Sequence, residues 1–384
     1  MKIENVLWML LKKDGNKIMI PLFKVFVPEH NIGNSFETIL RSGQLASGTY
    51  VRAFEKQLQD YIGNPYVLVT GNNTYASLIA LALCDLKNDD EVIASPMACL
   101  ASNQPVLNFG AKLVWSDIDP YTGSLSLDDV RKKITTKTKA ILHYHWGGYP
   151  GYIDEINKIG IEFGIPVIDD AIESFGARYK GKQIGNVGTP ITTFSFQTVR
   201  LPNSIDGGAL AFNSEELYLK ALRMRDFGIN RQSFRDEFGE LSSTSDIKGI
   251  GYNAIMNEVS AFMGYKVMEE TLNLIVEQRQ NALIWDEYFN NNMYKILGSR
   301  KEIEPNYWIY SFLSPNQIAD LKKFRLAGFY ASKIHIRNDY YSCFGQFDHS
   351  LKGVTQFAGT QLSIPSGWWV NSDEIRALIT KELC

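Results

Sequence analysis

From Tyr66 onward the chain repeats one unit: a short apolar strand, a turn, and a helical segment. YVLV leads through GNN into TYASLIALAL, EVIAS leads into PMACLASNQPVLNFG, and AKLVWSDID and KAILHYHW follow. Such alternation folds as a mostly parallel sheet with helices on both faces. The series continues with a helix over Ile153 to Phe163, a strand over Pro166 to Ile168 that ends in Asp169-Asp170, and a strand over Ile191 to Phe196. Ligands of these sheets bind beyond the carboxyl ends of the strands. Residues at those ends are therefore the candidates for chemistry.

After ALAFNS, Asn213 with Glu216 three residues on predicts a capped helix that stops at Gly228. Residues 229–250 are polar and aperiodic, the mark of a loop beside a ligand or a partner subunit. A long helix from Asn257 to about Gln278 then leads into a second region with aromatic pieces such as NYWIYSFL. A length of 384 residues suits this division. The expected parts are an N-terminal extension over 1–19, a large domain over 20–256 and a small C-terminal domain over 257–384.

The net charge of -3, with both signs mixed, provides no basic stripe for nucleic acid, and a 21% charged fraction argues against disorder. Cys84, Cys99, Cys343 and Cys384 show no CxxC spacing and have apolar neighbours, which predicts buried thiols in a reducing compartment, the cytoplasm. The apolar run Val6 to Leu11 is too short to span a membrane. GxGxxG, GxxxxGK[ST] and HExxH are absent, so the nicotinamide, P-loop and zincin readings lose their main support.

Three features stand at strand ends. The turn from Gly71 to Tyr75 opens an apolar helix and directs backbone N–H groups past the sheet edge; a plain strand-to-helix turn explains it as well as an anion site does. Asp169 and Asp170 must face opposite sides of their strand, so one carboxylate faces a site there; capping of AIESFG is the competing role. Ser195 supplies a hydroxyl at a comparable edge. The stretch TFSFQTVRLPNSIDGG then places Arg200, a cation that does not deprotonate, before a Gly pair.

In this order the features resemble those of fold-type I pyridoxal-phosphate enzymes, and within them the DegT/DnrJ/EryC1/StrS family of nucleotide-sugar aminotransferases. The resemblance runs nearly end to end, through IPLFK at 20–24, SGQLASGTYVRAFEKQL at 42–58, DEVIASP at 90–96, GAKLVWSDIDP at 110–120, PVIDDAIESFGA at 166–177, FSFQ at 194–197, DGGAL at 206–210, GYN at 251–253 and HIRND at 335–339. It implies a mostly parallel, seven-stranded-type sheet with a smaller C-terminal α/β domain.

By the same resemblance, Thr74 and Tyr75 bind the phosphate of pyridoxal 5′-phosphate or pyridoxamine 5′-phosphate, with Ser195 adding its hydroxyl. Asp170 pairs with the ring nitrogen, and Glu173 stands near the ring hydroxyl. Met97 lies over the ring face, or is a core methionine. Asn253 reaches the phosphate from the neighbouring subunit, which implies a homodimer; Ile255 stands where many relatives carry an Arg. His335, Arg337 and Asn338 line the sugar-nucleotide site, with a structural ion pair as the other account of Arg337. Arg200 occupies the position of the lysine that carries the cofactor, between FSFQ and DGG, so the cofactor is expected to be held non-covalently.

Three accounts stay open. The chain is an aminotransferase altered at its lysine, with glutamate as donor and a nucleotide-linked keto-deoxy sugar as acceptor. Or it uses the cofactor without a covalent lysine, as the sugar 3-dehydratases do. Or it is a non-catalytic relative that binds a nucleotide sugar.

Overall fold

The computed structural model describes residues 19–29, 32–292 and 294–383. Residues 1–18 of the expected extension over 1–19, the run Val6 to Leu11 and Cys384 lie outside the described residues. Strands β1 (Val67–Thr70), β2 (Glu91–Ala94), β3 (Lys112–Trp115) and β4 (Thr138–Tyr144) are each followed by a helix, over Asn73–Leu83, Leu100–Leu107, Leu127–Lys133 and Ile153–Phe163. β5 (Val167–Asp170) comes next, then the short hairpin of β6 (Arg178–Tyr179) and β7 (Lys182–Gln183), then β8 (Ile191–Ser195) and β9 (Gly208–Phe212).

Seven of these strands form one sheet in the order β1-β9-β8-β5-β4-β2-β3. β9 alone runs against its neighbours; the pairs β8/β5, β5/β4, β4/β2 and β2/β3 are parallel. This is the mostly parallel sheet expected from the strand-turn-helix repeat. β1, β8 and β9 are buried along their whole length, which accounts for apolar runs without alternation. Successive residues serve opposite faces: Leu68 and Leu210 pack under the helix Asn73–Leu83, whereas Val67, Val69 and Ala211 pack with Phe54 and Leu58 of the helix Thr49–Ile62.

The helix Glu258–Asn291 joins the two parts of the molecule. Asn257 caps it through Oδ1, which accepts from the N–H of Ser260. Its first turns place Ala261 and Met268 in the large core; its last place Ala282, Trp285 and Phe289 against Tyr310, Phe312, Phe324 and Leu362 of the small one. The stop expected near Gln278 does not occur, because the polar residues there are bonded to a neighbouring loop. Gln278 donates Nε2–H to the carbonyl of Asn306 at 2.8 Å, and Arg279 donates Nε–H to that of Pro305 at 3.0 Å. The transition between the two cores thus falls inside one helix. The small part is built on β10 (Lys295–Ile296), β12 (Tyr310–Leu313) and β13 (Gln361–Ile364), while β11 (Ile303–Glu304) pairs with β6.

Two further expectations are corrected. The helix Glu215–Met224 is capped by Ser214, whose Oγ accepts from Leu217 N–H; Asn213 donates instead to the Gly188 carbonyl. Cys343 is exposed rather than buried, Cys84 is buried and Cys99 partly so, and all three are free thiols. Residues 229–250 do form a largely exposed loop with no helix or named strand. Among the described residues no helix is long and apolar enough to cross a membrane.

Candidate cofactor and substrate site

The β5 strand sends its two carboxylates to opposite faces, and each has its own environment. Asp169 accepts from His143 Nδ1 at 2.9 Å and from the Thr189 hydroxyl at 2.5 Å, with His145 Nε2 at 3.6 Å. Burial opposes its ionisation, yet His145 and His143 hold its carboxyl well below the usual range. Asp170 accepts a long bond from Ile172 N–H, at 3.3 Å, with the Ser102 hydroxyl also acting on it, and has no ion-pair partner among the described residues. Burial pushes its carboxyl up to about 6. A fully buried acid without a cation, at the carboxyl end of a parallel sheet, is half of a pair.

The turn after β1 is built to be approached closely. Asn72 Oδ1 accepts from Tyr75 N–H at 3.0 Å and caps the helix Asn73–Leu83, while Asn73 Oδ1 is buried without a partner. Gly208 of β9 lies against the turn: a Cβ there would stand 2.8 Å from both the Asn72 carbonyl oxygen and Asn73 Cα. Ser195 is the register partner of Gly208. Thr74, Tyr75 and Ser195 are thereby gathered around one helix amino terminus. Asn253 is exposed, and the following Ala254 carbonyl accepts from Gly71 N–H of the same chain at 2.8 Å. The GYN segment thus lies beside the turn of its own subunit.

Arg200 follows β8, with its backbone N–H bonded to the Gln197 carbonyl. Its guanidinium lies 3.9 Å from the centre of the Trp308 ring and donates to Glu173 Oε1 from Nη1 and Nη2 at 3.4 and 3.3 Å. Glu173 also accepts from Gly147 N–H and from His335 Nε2, each at 2.9 Å. Burial works against the Glu173 charge, but His335 and Arg200 hold its carboxyl down to about 2. The phenol of Tyr144, buried beside this carboxylate, is pushed well above its ordinary value by burial and then by Glu173.

Of the remaining candidates, Met97 is fully buried, with its N–H on Ser95 Oγ. Arg337 is held inside the protein by Asp339 at 2.6 Å, Thr355 Oγ1 and the Asp348 carbonyl, with its guanidinium over Phe347. Asn338 ties this segment to Asn103 and to the Ala98 carbonyl. His335 alone of the three reaches the Glu173 cluster.

Sequence reasoning missed Trp308, Tyr144 and the pair His143 and His145. The HYH alternation within a strand was a usable signal, since residues two apart share a face. Trp308 comes from 108 positions downstream of Arg200 (308 − 200) and carried no local signal.

The residues present fit a phosphorylated pyridine cofactor. An unpaired buried carboxylate matches a protonated ring nitrogen, and a helix amino terminus with a hydroxyl beside it matches a phosphate dianion.

The comparisons agree with this geometry. The model of the DegT/DnrJ/EryC1/StrS aminotransferase family matches residues 28–380. GDP-perosamine synthase of Escherichia coli O157:H7 is 30% identical over 271 residues, 70% of this chain and 71% of that protein. GDP-4-keto-6-deoxy-D-mannose 3-dehydratase of Yersinia pseudotuberculosis is 30% identical over 276 residues, 68% of this chain and 70% of that protein. Among solved structures, the sugar aminotransferase CalS13 of Micromonospora echinospora superposes with a TM-score of 0.86 at 27% identity, covering 95% of this chain and 99% of that one.

Proposed function

Because this chain belongs to the DegT/DnrJ/EryC1/StrS aminotransferase family, we propose that its site takes a nucleotide-linked keto-deoxy sugar and an amino group from glutamate. The family, the fold-type I architecture and pyridoxal phosphate or its amine form as cofactor are the premise. The sugar nucleotide, the donor and the assembly are the proposal. What carries it is Asp170: a buried carboxylate without a cation, pushed up to about 6 by its surroundings. The relatives named GDP-perosamine synthase and GDP-4-keto-6-deoxy-D-mannose 3-dehydratase support a nucleotide-linked sugar as the partner.

When bound, the cofactor supplies an electron sink for amino-group chemistry. Asp170 then keeps the proton at the ring nitrogen. Thr74 and Tyr75, with Ser195, hold the phosphate at the helix amino terminus. Glu173 would serve the ring hydroxyl and Met97 the ring face. We place Asn253 at the phosphate of a second subunit in a homodimer, and His335 at the sugar side, with Arg337 and Asn338 shaping the segment that carries it. Arg200 in the lysine position provides a fixed charge for Glu173, but it neither bonds covalently to the cofactor nor gives up and takes back a proton. The cofactor is therefore held non-covalently.

A glutamate-dependent assay over a panel of nucleotide-linked keto sugars, run beside Arg200→Lys, tests this reading. An aminated sugar supports it. A deoxygenated keto sugar formed without net amino transfer supports the lysine-free dehydratase reading, and binding of the sugar nucleotide without turnover supports the non-catalytic one. Sedimentation at assay concentration tests the dimer; a monomer with cofactor bound counts against it.

A further inference from the structure

The cluster around Glu173 contains a group whose chemistry the proposed function leaves unused. We propose that His335, oriented by Glu173, is the proton carrier of this site, in the role a lysine side chain at position 200 would fill; this rests on the cofactor reading above.

The argument starts with the hydrogen bonds. Glu173 is a carboxylate that accepts from Gly147 N–H and from the Arg200 guanidinium, groups that only donate. Its contact with His335 Nε2 at 2.9 Å is therefore donated by the imidazole. A donor at Nε2 leaves the lone pair of a neutral ring on Nδ1, and Nδ1 makes no hydrogen bond among the described residues. Trp146 and Tyr144 meet the ring edge-to-face, with centroids 5.7 and 6.4 Å away, and fix its plane. The side chain keeps 18% of its surface exposed, so a ligand can reach it.

The neighbours are unsuited to the task. Arg200 stays protonated. Glu173 is held ionised by three sets of donors, which makes it a weak base. The Tyr144 phenol and the Cys99 thiol are both pushed up, first of all by burial. A carboxylate-oriented imidazole is an arrangement that accepts and returns protons.

The step is a proton transfer with no net redox at His335. With the cofactor bound, a C–H bond at its C4′ carbon would break as an N–H bond forms at Nδ1, the cofactor supplying the sink for the electron pair. The proton would afterwards return from Nδ1 to that carbon.

The test needs no sugar. Protein loaded with pyridoxamine 5′-phosphate is held in D2O, and deuterium in the C4′ methylene of the released cofactor is read by mass spectrometry. Wild type is expected to exchange, and His335→Gln and His335→Asn to exchange about 100-fold more slowly, with cofactor affinity within about threefold of wild type. Added imidazole is expected to restore part of the rate in His335→Ala. Independently of turnover, 15N spectra of the histidines in cofactor-free protein are expected to show the Nε2–H tautomer of His335, and a mixture in Glu173→Gln. Exchange at the wild-type rate in cofactor-loaded His335→Gln, or an Nδ1–H tautomer in wild type, overturns the proposal. Wild type that binds the cofactor without exchange overturns it and leaves the binding-site reading standing; wild type that does not bind overturns both.

Discussion

The guanidinium of Arg200 lies 3.3 Å from Glu173 Oε1, with both side chains almost wholly removed from solvent. Trp308 closes its other face at 3.9 Å. Such a pair is costly to break from one side, because the group left behind stays buried and charged. Arg200 is thereby part of the architecture of the pocket as well as an occupant of the position proposed for a lysine.

Arg200→Lys is expected to form a borohydride-reducible bond to pyridoxal 5′-phosphate at residue 200, since Lys is shorter and flexible and its amine can attack the aldehyde. Peptide mapping after reduction reads the result: modified in the variant, unmodified in the parent. Modification of the parent at another lysine would show that the cofactor anchor has been misplaced.

Asp170→Asn separates folding from cofactor binding. The folded carboxyl lies at about 6 against an ordinary value of 3.8, so it opposes folding when ionised. Its favourable, protonated contribution is complete below about 3.8 and disappears as pH rises through about 6. Without cofactor the variant is expected to be more stable than wild type by on the order of 2–3 kcal/mol at pH 8, with the gap closing below pH 4. Cofactor affinity is expected to fall at least about tenfold. Urea unfolding across pH and a binding titration check the two halves; an unchanged affinity would remove Asp170 from the site.

Glu173→Gln has the opposite acid limb. The folded carboxyl stands at about 2 against 4.5, so its stabilisation is present above 4.5 and is lost as pH falls towards 2. Wild type is expected to lose about 3 kcal/mol across that window from this group, and the variant none. At neutral pH the variant is expected to be destabilised by about 3–5 kcal/mol, because Arg200 is left without its counter-charge. Denaturant melts at pH 7 and pH 3 measure both.

Gly208→Ala is expected to disturb the turn at the helix amino terminus. The new Cβ falls 2.8 Å from backbone atoms of Asn72 and Asn73, which cannot swing away as a side chain would. The expected cost is about 1–3 kcal/mol, with a fall in cofactor affinity of about tenfold or more. Gly359→Ala, whose Cβ meets nothing within 4 Å, serves as the control and leaves affinity unchanged.

The alternation of apolar strands and helices determined the sheet, because fully buried parallel strands need uninterrupted apolar runs and their crossovers need amphipathic helices. That one carboxylate of the pair Asp169-Asp170 faces beyond the sheet was equally legible from counting along the strand; the choice of Asp170 came from the family resemblance. Local chemistry misled where two residues could do the same job, as at the Asn213-Ser214 cap, and where polar residues inside a helix bonded to a distant loop, as Gln278 and Arg279 do. The environment of Arg200 was decided by tertiary structure alone. Its partners Glu173 and Trp308, and the imidazole of His335 beyond them, come from well-separated stretches of chain, and only the packing of the later chain segments over the ends of β5 and β8 brings them within hydrogen-bonding and ring-contact distance. The same packing excludes water from the cluster and thereby sets which of its groups hold a charge.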